Sequence, residues 1–567
     1  MKKILSSNRS KSLIINAVIL TTILLCVQVV YETNDDHTIA KMIAAGYANI
    51  GFVNYYLCKA LIGIQTLMPG VNAFVLSQIA LSFTAFVVLL RLVMDKSESK
   101  LVYLVAVAAI TLFSIDHYAS IQFTKTSALL ISVGFLLLLD SAIGNRHWLY
   151  YCEGALLVII GSMYRWNTLL PALGYLCAFV GVFVVIALFD GTQGSLKDKA
   201  PVFKQLAMCL LVVMVASGCG YGLNKFSARA NTSTEQLKIA KEYSSLRARI
   251  TDFPTDDLYE KYQDECDAIN VDDNDIYMIH KWLFDYDGAA SIENLRVLSS
   301  LGKQASTDRL TVTQVVKKCG KSIIKSVRKL DYTGWHIVVL ALLSLLIILS
   351  TKPKNWLYVL GFGGLTLVLY LVLYYMQRPV YRTLYIADVG AMIWLLYVAA
   401  TNSNTKHLIT KIVAVLLVIC CCVALPSEAM HLNKRYKNLV HKTRSSELDE
   451  YFDEHNDSIF VCEVNGWNNA RTYTEPLRVS TNNNSNEVSI GGWSTLSPYQ
   501  MNKIKKYGMT NPIKDLINND KAYFVGNARL VELKTYYNKW YGDGENSIEL
   551  IAVDTVGGKK IWRIVKK

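Results

Sequence analysis

The sequence predicts a polytopic α-helical membrane protein of about eleven spans, with a small α/β domain at its C-terminal end. Three observations lead there. Apolar residues make up 52% of the chain and charged residues 18%, where a soluble chain of this size carries about 25% charge. Apolar runs of roughly 17 to 22 residues, the length of a transmembrane helix, recur along the chain. Residues 426–567 break that pattern and alternate strand-like with helix-like segments.

The first apolar run, 13–31, follows Lys2, Lys3, Arg9 and Lys11 and ends in "VQVVYETND". No small-x-small cleavage site is present, so the run reads as an uncleaved first helix with a cytoplasmic N-terminus. "YETNDDHTIAKMIAAGY" at 31–47 follows at once. Thr33, Asn34 and Asp35 are all good N-cap types, and "HTIAKMIAAGY" reads as an amphipathic helix along the outer interface. Further spans fall near 70–93, 101–113, 126–142, 152–163, 168–189, 204–222, 335–350, 357–375, 384–400 and 411–425. Of these, 101–113 and 152–163 are short for a full crossing.

Charge orders the loops. Lys96 and Lys100, Arg146, Lys197 and Lys199, Lys352 and Lys354, and Lys406 and Lys411 mark inner loops, while the short outer loops carry only Lys125, Arg165, Arg378 and Arg382. The net charge of +13 therefore belongs to membrane topology and does not point to nucleic acid. An odd number of spans exports the C-terminal domain. "NKRYKNLVHKTR" at 433–444 runs against the charge rule, which long exported domains override. The organisation expected is an N-terminal membrane module (1–222), a large extracytoplasmic loop (223–334), further membrane helices (335–425) and an extracytoplasmic α/β domain (426–567). The twelve cysteines show neither metal spacing nor a disulfide framework.

In the large loop, "DDND" at 272–275 reads as a helix start and "SIEN" at 291–294 as a weak capping box. A calcium loop would need alternating ligands and a central Gly, which "DDNDIYM" lacks. In the last domain "SIFVCEV", "KAYFVG", "SIELIAV" and "KIWRIV" read as strands, and "SPYQMNKIKKYG" and "ARLVELKTYYNKWYG" as helices closed by Gly. Trp467 in "NGWNN" and Trp493 in "GGWSTLSP" sit in Gly/Asn-rich loops, where a Trp either anchors local packing or stacks on a sugar ring.

The outer ends of the spans carry the chemistry. Asp35 and Asp36 are one acid more than a cap needs. A carboxylate at a membrane–water boundary can act as general base toward a hydroxyl, and its neighbour can raise its pKa or help hold a cation. "SIDHYASIQFTKT" supplies Asp116, His117, Gln122 and Lys125; "GSMYRWN" supplies Tyr164, Arg165 and Asn167; "YYMQRPVYRTLY" supplies Arg378, Tyr381 and Arg382. Two readings of the arginines stand: snorkelling to headgroups, or a clamp whose planar forks match phosphate oxygens. No GxGxxG follows a strand, and GxxxxGK[ST], HExxH and GxSxG are absent.

This pattern resembles the GT-C class of membrane glycosyltransferases, whose first outer loop carries an acidic motif near interfacial helices. The matching residues are "NDD" at 34–36, the amphipathic stretch 37–68, and the polar span ends "FTKT" (123–126), "MYRWN" (163–167) and "RPVYR" (378–382). The chain also looks like large bacterial membrane proteins that share "NDD" and a "GGW…YG…NP" segment, here "GGWSTLSPYQMNKIKKYGMTNP" at 491–512. The resemblance implies a polyprenyl-phosphate-linked sugar donor and an extracytoplasmic glycan or lipid-linked acceptor of the cell envelope. Asp36 or Asp35 would be the base, with Asp36 favoured because Asp35 is the better placed cap. His37, Asp116, His117, Lys125, Tyr164, Arg165, Arg378, Tyr381 and Arg382 would bind substrate. A divalent metal ion stays open, and membrane lipid is a partner. The rival readings are a polysaccharide polymerase, which usually lacks a large C-terminal domain, and a lipid-linked-sugar transporter or flippase, which would place its charges near mid-membrane.

Overall fold

The computed structural model describes residues 7–189, 200–253, 255, 257–305, 310–402, 407–442, 446–463, 475–478, 486–544 and 546–567. Lys197, Lys199, Lys406 and Trp467, singled out above, lie outside the described residues.

Helix α1 (Asn8–Cys26) leads into two shorter helices, α2 (Asn34–Ala44) and α3 (Tyr55–Leu67). Then come α4 (Ala73–Lys96), α5 (Lys100–Tyr118), α6 (Phe123–Ile143), α7 (Trp148–Tyr164), α8 (Leu169–Phe189) and α9 (Ala200–Ala230). A helical segment follows, with α10 (Glu235–Thr251), α11 (Asp273–His280), α12 (Ile292–Ala305) and α13 (Val312–Lys329). The chain then returns to apolar helices α14 (Tyr332–Ser350), α15 (Trp356–Tyr375), α16 (Tyr381–Asn402) and α17 (Leu408–Lys442). Among the described residues ten helices are long and apolar enough to cross a membrane, and α7 is a shorter apolar helix beside them. The protein is therefore built as a multi-pass membrane protein.

The two runs that look short in sequence are longer in the fold. The run at 101–113 extends through Ser114, Asp116 and His117 to Tyr118, and that at 152–163 starts at Trp148, lengthened by Trp148, Leu149, Tyr150 and Tyr151. Helices α6 and α7 approach closely because Gly134 and Gly154 face each other: a methyl on either would meet the other's carbonyl oxygen within about 3 Å. Helices α6 and α16 are the innermost, with 94% and 89% of their spanning windows buried. Their N-terminal ends, at Phe123 and Tyr381, open on the same face.

That face is tied together by the first outer loop. Strands β1 (Val30–Tyr31) and β2 (Ser120–Ile121) form a two-residue parallel ladder. Helix α17 adds a strap. It continues without a break past Pro426, and Arg435 donates from Nη2 to the carbonyls of Tyr31 (3.0 Å) and Glu32 (2.6 Å). Arg435 belongs to the basic stretch that ran against the charge rule, so part of that stretch is fixed by backbone contacts on the site face.

The C-terminal region holds α18 (Ser446–Glu454), β3 (Ile459–Glu463), β4 (Glu487–Ile490), α19 (Pro498–Lys506), β5 (Ala522–Val525), α20 (Leu530–Tyr541), β6 (Ile548–Val556) and β7 (Lys559–Lys566). The sheet order is β4-β3-β5-β7-β6; β3 pairs parallel with β4 and β5, and β7 antiparallel with β5 and β6. The four strands and two helices read from sequence are present, and β4 is added. The predicted starts at "DDND" and "SIEN" also hold: Asp272 and Asp275 form a reciprocal capping box, and Ser291 Oγ accepts from the Asn294 N–H at 3.3 Å.

The 223–334 segment and the C-terminal region share one core. Tyr243, Ile250, Phe284 and Leu298 of the former pack with Ile459, Val461, Phe524 and Tyr536 of the latter. At its centre the buried Asp285 carboxylate accepts from Tyr536 Oη (2.7 Å), Tyr541 Oη, Asn511 Nδ2 (3.1 Å) and the Gly288 N–H (3.1 Å). The two segments thus form one head. Gly491, of the "GGW" motif, closes the joint: its φ is +79°, and a methyl there would overlap the Trp282 carbonyl. We expect Gly491→Ala to cost on the order of 3 kcal/mol, from left-handed strain plus backbone overlap. Thermal unfolding and limited proteolysis of the head check this; a protease-resistant head with wild-type Tm would refute it.

Candidate functional site

The β1–β2 ladder brings "NDD" to the start of α6. Thr33 occupies the N-cap position of α2 without a side-chain cap bond, so Asp35 and Asp36 both fall in its first turn. The capping expectation therefore moves from Asp35 to its neighbour, and to a different helix. Asp36 has no exposed surface. Its Oδ1 accepts from the Phe123 N–H at 2.9 Å, and its Oδ2 from Thr33 Oγ1 at 3.4 Å. Phe123 is the first residue of α6, so Asp36 satisfies one of that helix's unpaired donors and meets the positive end of its dipole. Burial nonetheless pushes its carboxyl well above the usual range, the Phe123 N–H opposing and Asp35 and Glu32 adding to the rise.

Asp35 points elsewhere. Its side chain is 26% exposed and its Oδ2 lies 3.8 Å from Arg382 Nη2. Beside it stands Arg165, close enough to Arg378, Arg382 and Asp35 for all three to act on it electrostatically. Arg378 pairs with Asp252 at 3.1 Å. Arg165 is different. Its guanidinium sits between the rings of Phe52 and Phe123, 5.4 Å from each centroid, and no carboxylate among the described residues is within ion-pair distance of it. Burial, with Arg382 and Arg378 close by, lowers its pKa, and Asp35 and Asp36 oppose that. Arginine stays charged throughout. The cluster is thus a half-buried, water-accessible patch with three guanidinium groups, one acid in loose contact, and one cation without a carboxylate partner.

Most of the other predicted site residues lie behind this patch. Lys125 is fully buried and pairs with Glu32 at 2.6 Å and Asp116 at 2.9 Å. Tyr381 Oη donates to Asp116 Oδ2 at 2.9 Å, and His336 Nε2 is 3.7 Å from that oxygen. His117 packs edge-on to Phe86 and Tyr385, with Ser82 Oγ 3.3 Å from its Nδ1. Tyr164 is buried and bonded to Ser77 Oγ. Gln122 caps α6 by accepting from the Thr124 N–H, and Asn167 is exposed at a helix start. His37 is buried edge-on to Tyr31, and burial, then Lys41, holds it well below the usual histidine range, so it is neutral near pH 7. Of the residues expected to touch substrate, Arg165, Arg378, Arg382 and Asp35 come together at an accessible surface. Asp116, His117, Lys125 and Tyr164 form the interior that supports it, with Tyr381 at its edge.

The sequence reading passed over Glu32, Arg247, Asp252 and Arg435 at this face, and His336, Asp388 and Glu428 within the span ends. Glu428 is buried with no hydrogen-bond partner for either oxygen among the described residues. Glu428 carried one usable signal, an acid two residues after Pro426 at the end of an apolar run; the others carried no comparable signal. Among the described residues no group of three or more His, Cys, Asp or Glu is arranged to hold a metal ion. Asp272 and Asp275, in the acidic loop, are paired instead with Lys539 at 2.7 and 2.6 Å.

Among solved structures, the crystal structure of ArnT from Cupriavidus metallidurans bound to undecaprenyl phosphate is similar over 97% of this chain and 97% of that chain, at 11% sequence identity and a TM-score of 0.35. No family model and no curated protein matches the chain.

Proposed function

We propose that this protein is a membrane glycosyltransferase. It moves a sugar from a polyprenyl-phosphate-linked donor in the outer leaflet to an acceptor hydroxyl in the cell envelope. The observation that carries the reading is Arg165, a half-buried cation held by two aromatic rings, without a carboxylate partner, beside Arg382, Arg378 and the accessible Asp35. Such a patch suits a phosphate that arrives with the ligand. In the mechanism proposed, the acceptor oxygen attacks the anomeric carbon as the bond from that carbon to the phosphate oxygen breaks. The lipid phosphate leaves as an anion held by Arg165 and Arg382, and the acceptor proton passes to Asp35. A single displacement inverts the anomeric centre. Asp36 is the lesser candidate for the base, because its oxygens are turned to the Phe123 N–H and Thr33. Lys125, Asp116 and Tyr381 act as positioning residues for the two loops that carry Asp35 and Arg382.

The test is surface-glycan composition and linkage in a deletion strain, complemented with wild type or Arg165→Ala at matched expression. One sugar or branch should disappear and return with wild type. With purified protein, Arg165→Ala should lower transfer by about 10²- to 10³-fold, the scale of losing one donor to a developing anion. A deletion that leaves every surface glycan unchanged overturns the reading.

A further inference from the structure

A groove of about 380 Å³ lies where the head meets the membrane module, beside the guanidinium patch: its Phe52 also carries Arg165, and its Asp252 pairs with Arg378. Its walls come from three distant segments: the 49–54 loop with Phe52, the end of α9 with Asn231, and the 493–498 turn with Trp493. Helix α10 completes it with Lys241, Ser244 and Arg247. Arg247 forms the floor. It is 3% exposed, its guanidinium stacks over Trp282 at 4.6 Å, and its Nε has no hydrogen-bond partner among the described residues.

We propose that this groove binds the saccharide part of the acceptor, entering from water rather than from the lipid. The inference rests on the transferase reading for the word acceptor; the saccharide site itself does not depend on it. Three features point to this ligand class. The lining mixes amides, hydroxyls and charges, such as Asn49, Asn231, Lys241 and Ser244, with apolar groups, among them Phe52 and Trp493, which meet edge to face at 5.0 Å. A hydroxyl-rich ring needs that combination, whereas a lipid chain needs a continuous apolar wall. The volume lies at the lower end of ligand clefts, which run from about 300 to 1,000 Å³. The floor also leads to the proposed base: Arg247 lies near Asp252, with 3.9 Å between Nη1 and Oδ1, Asp252 pairs with Arg378, and Asp35 and Arg378 both act on Arg247 electrostatically.

The experiment uses full-length protein in nanodiscs and fluorescently tagged oligosaccharides released from the surface polysaccharide of the deletion strain. Binding is followed by anisotropy. Wild type should bind. Ser244→Trp, which fills the groove from a half-buried position, should weaken binding by about tenfold or more, and Asn231→Ala by roughly threefold, the scale of one lost hydrogen bond. Lys238→Trp, on the exposed side of the same helix, should bind like wild type. No binding to wild type, or equal binding to wild type and Ser244→Trp, overturns the groove and leaves the transferase reading to its own test. Groove-dependent binding in a protein whose deletion removes no sugar keeps the saccharide site and sinks the transferase.

Discussion

Asp35→Asn abolishes sugar transfer, while the protein folds, keeps its Tm and still binds donor. That is the expected result if Asp35 takes the acceptor proton, because removing a general base costs about 10²- to 10⁴-fold. Asp36→Asn behaves differently. The amide Oδ1 can still accept from the Phe123 N–H, so the first loop stays docked on α6 and transfer stays within about tenfold of wild type. Asp36→Ala loses that acceptor and leaves a buried N–H unpaired, at about 1 to 3 kcal/mol. Transfer then falls because the loop that carries Asp35 is loosened. A raised pKa suits a general base, so Asp36 has a claim on chemical grounds. Reach comes first, however, and Asp36 has no exposed surface. Full transfer by Asp35→Asn together with none by a folded Asp36→Asn would reverse the assignment.

The same pair carries a pH signature. Burial raises the Asp36 carboxyl in the folded protein, so folding takes up a proton between the ordinary carboxylate pKa of about 4 and the raised one. Stability from this group is complete below the unfolded pKa and is lost as pH rises through the folded pKa. Asp36→Asn has no such proton to lose. The Tm difference, variant minus wild type, should therefore grow as pH rises across that window. A difference independent of pH would mean that Asp36 is ionised in both states.

Much of this fold was legible because a membrane imposes length. Spans of about 20 apolar residues announce themselves, and the eleven runs correspond to eleven helices. The strands of the head were legible from alternation and their Gly breaks. The β1–β2 ladder was not, because two residues carry no period, yet it is what carries Asp36 to α6. Strand β4 also went unread, although at four residues it is as long as β5. The acids at 35 and 36 were legible as a pair, but their division of labour was not, since it depends on Phe123, which is distant in sequence. Arg435 read as an anomaly of charge because its partners are carbonyls, and carbonyls leave no trace in composition. The union of 223–334 with 426–567 was hidden for a related reason: a core shared by two segments looks, in each alone, like a small incomplete one.

Lys125 separates a supporting interior from a binding surface. Read from the sequence, it binds substrate, and Lys125→Met would then raise KM and leave Tm alone. In the fold its ammonium is buried between Glu32 and Asp116, with the rings of Tyr381 and Tyr385 at 5.6 and 5.5 Å. Removing it strands two buried carboxylates, and breaking a buried pair costs about 3 to 5 kcal/mol, a large share of the roughly 5 to 15 kcal/mol by which domains are stable. Lys125→Met should therefore lower Tm sharply and reduce the yield of folded protein. Transfer should fall with it, because Glu32 lies three residues before Asp35 and Tyr381 adjoins Arg382. Adding Glu32→Gln and Asp116→Asn removes the stranded charges and should restore much of the Tm, since the loss is electrostatic rather than a cavity. Restored Tm without restored transfer would locate Lys125 in the frame that aims Asp35 and Arg382. A Lys125→Met protein with wild-type Tm and a raised KM would return it to the substrate.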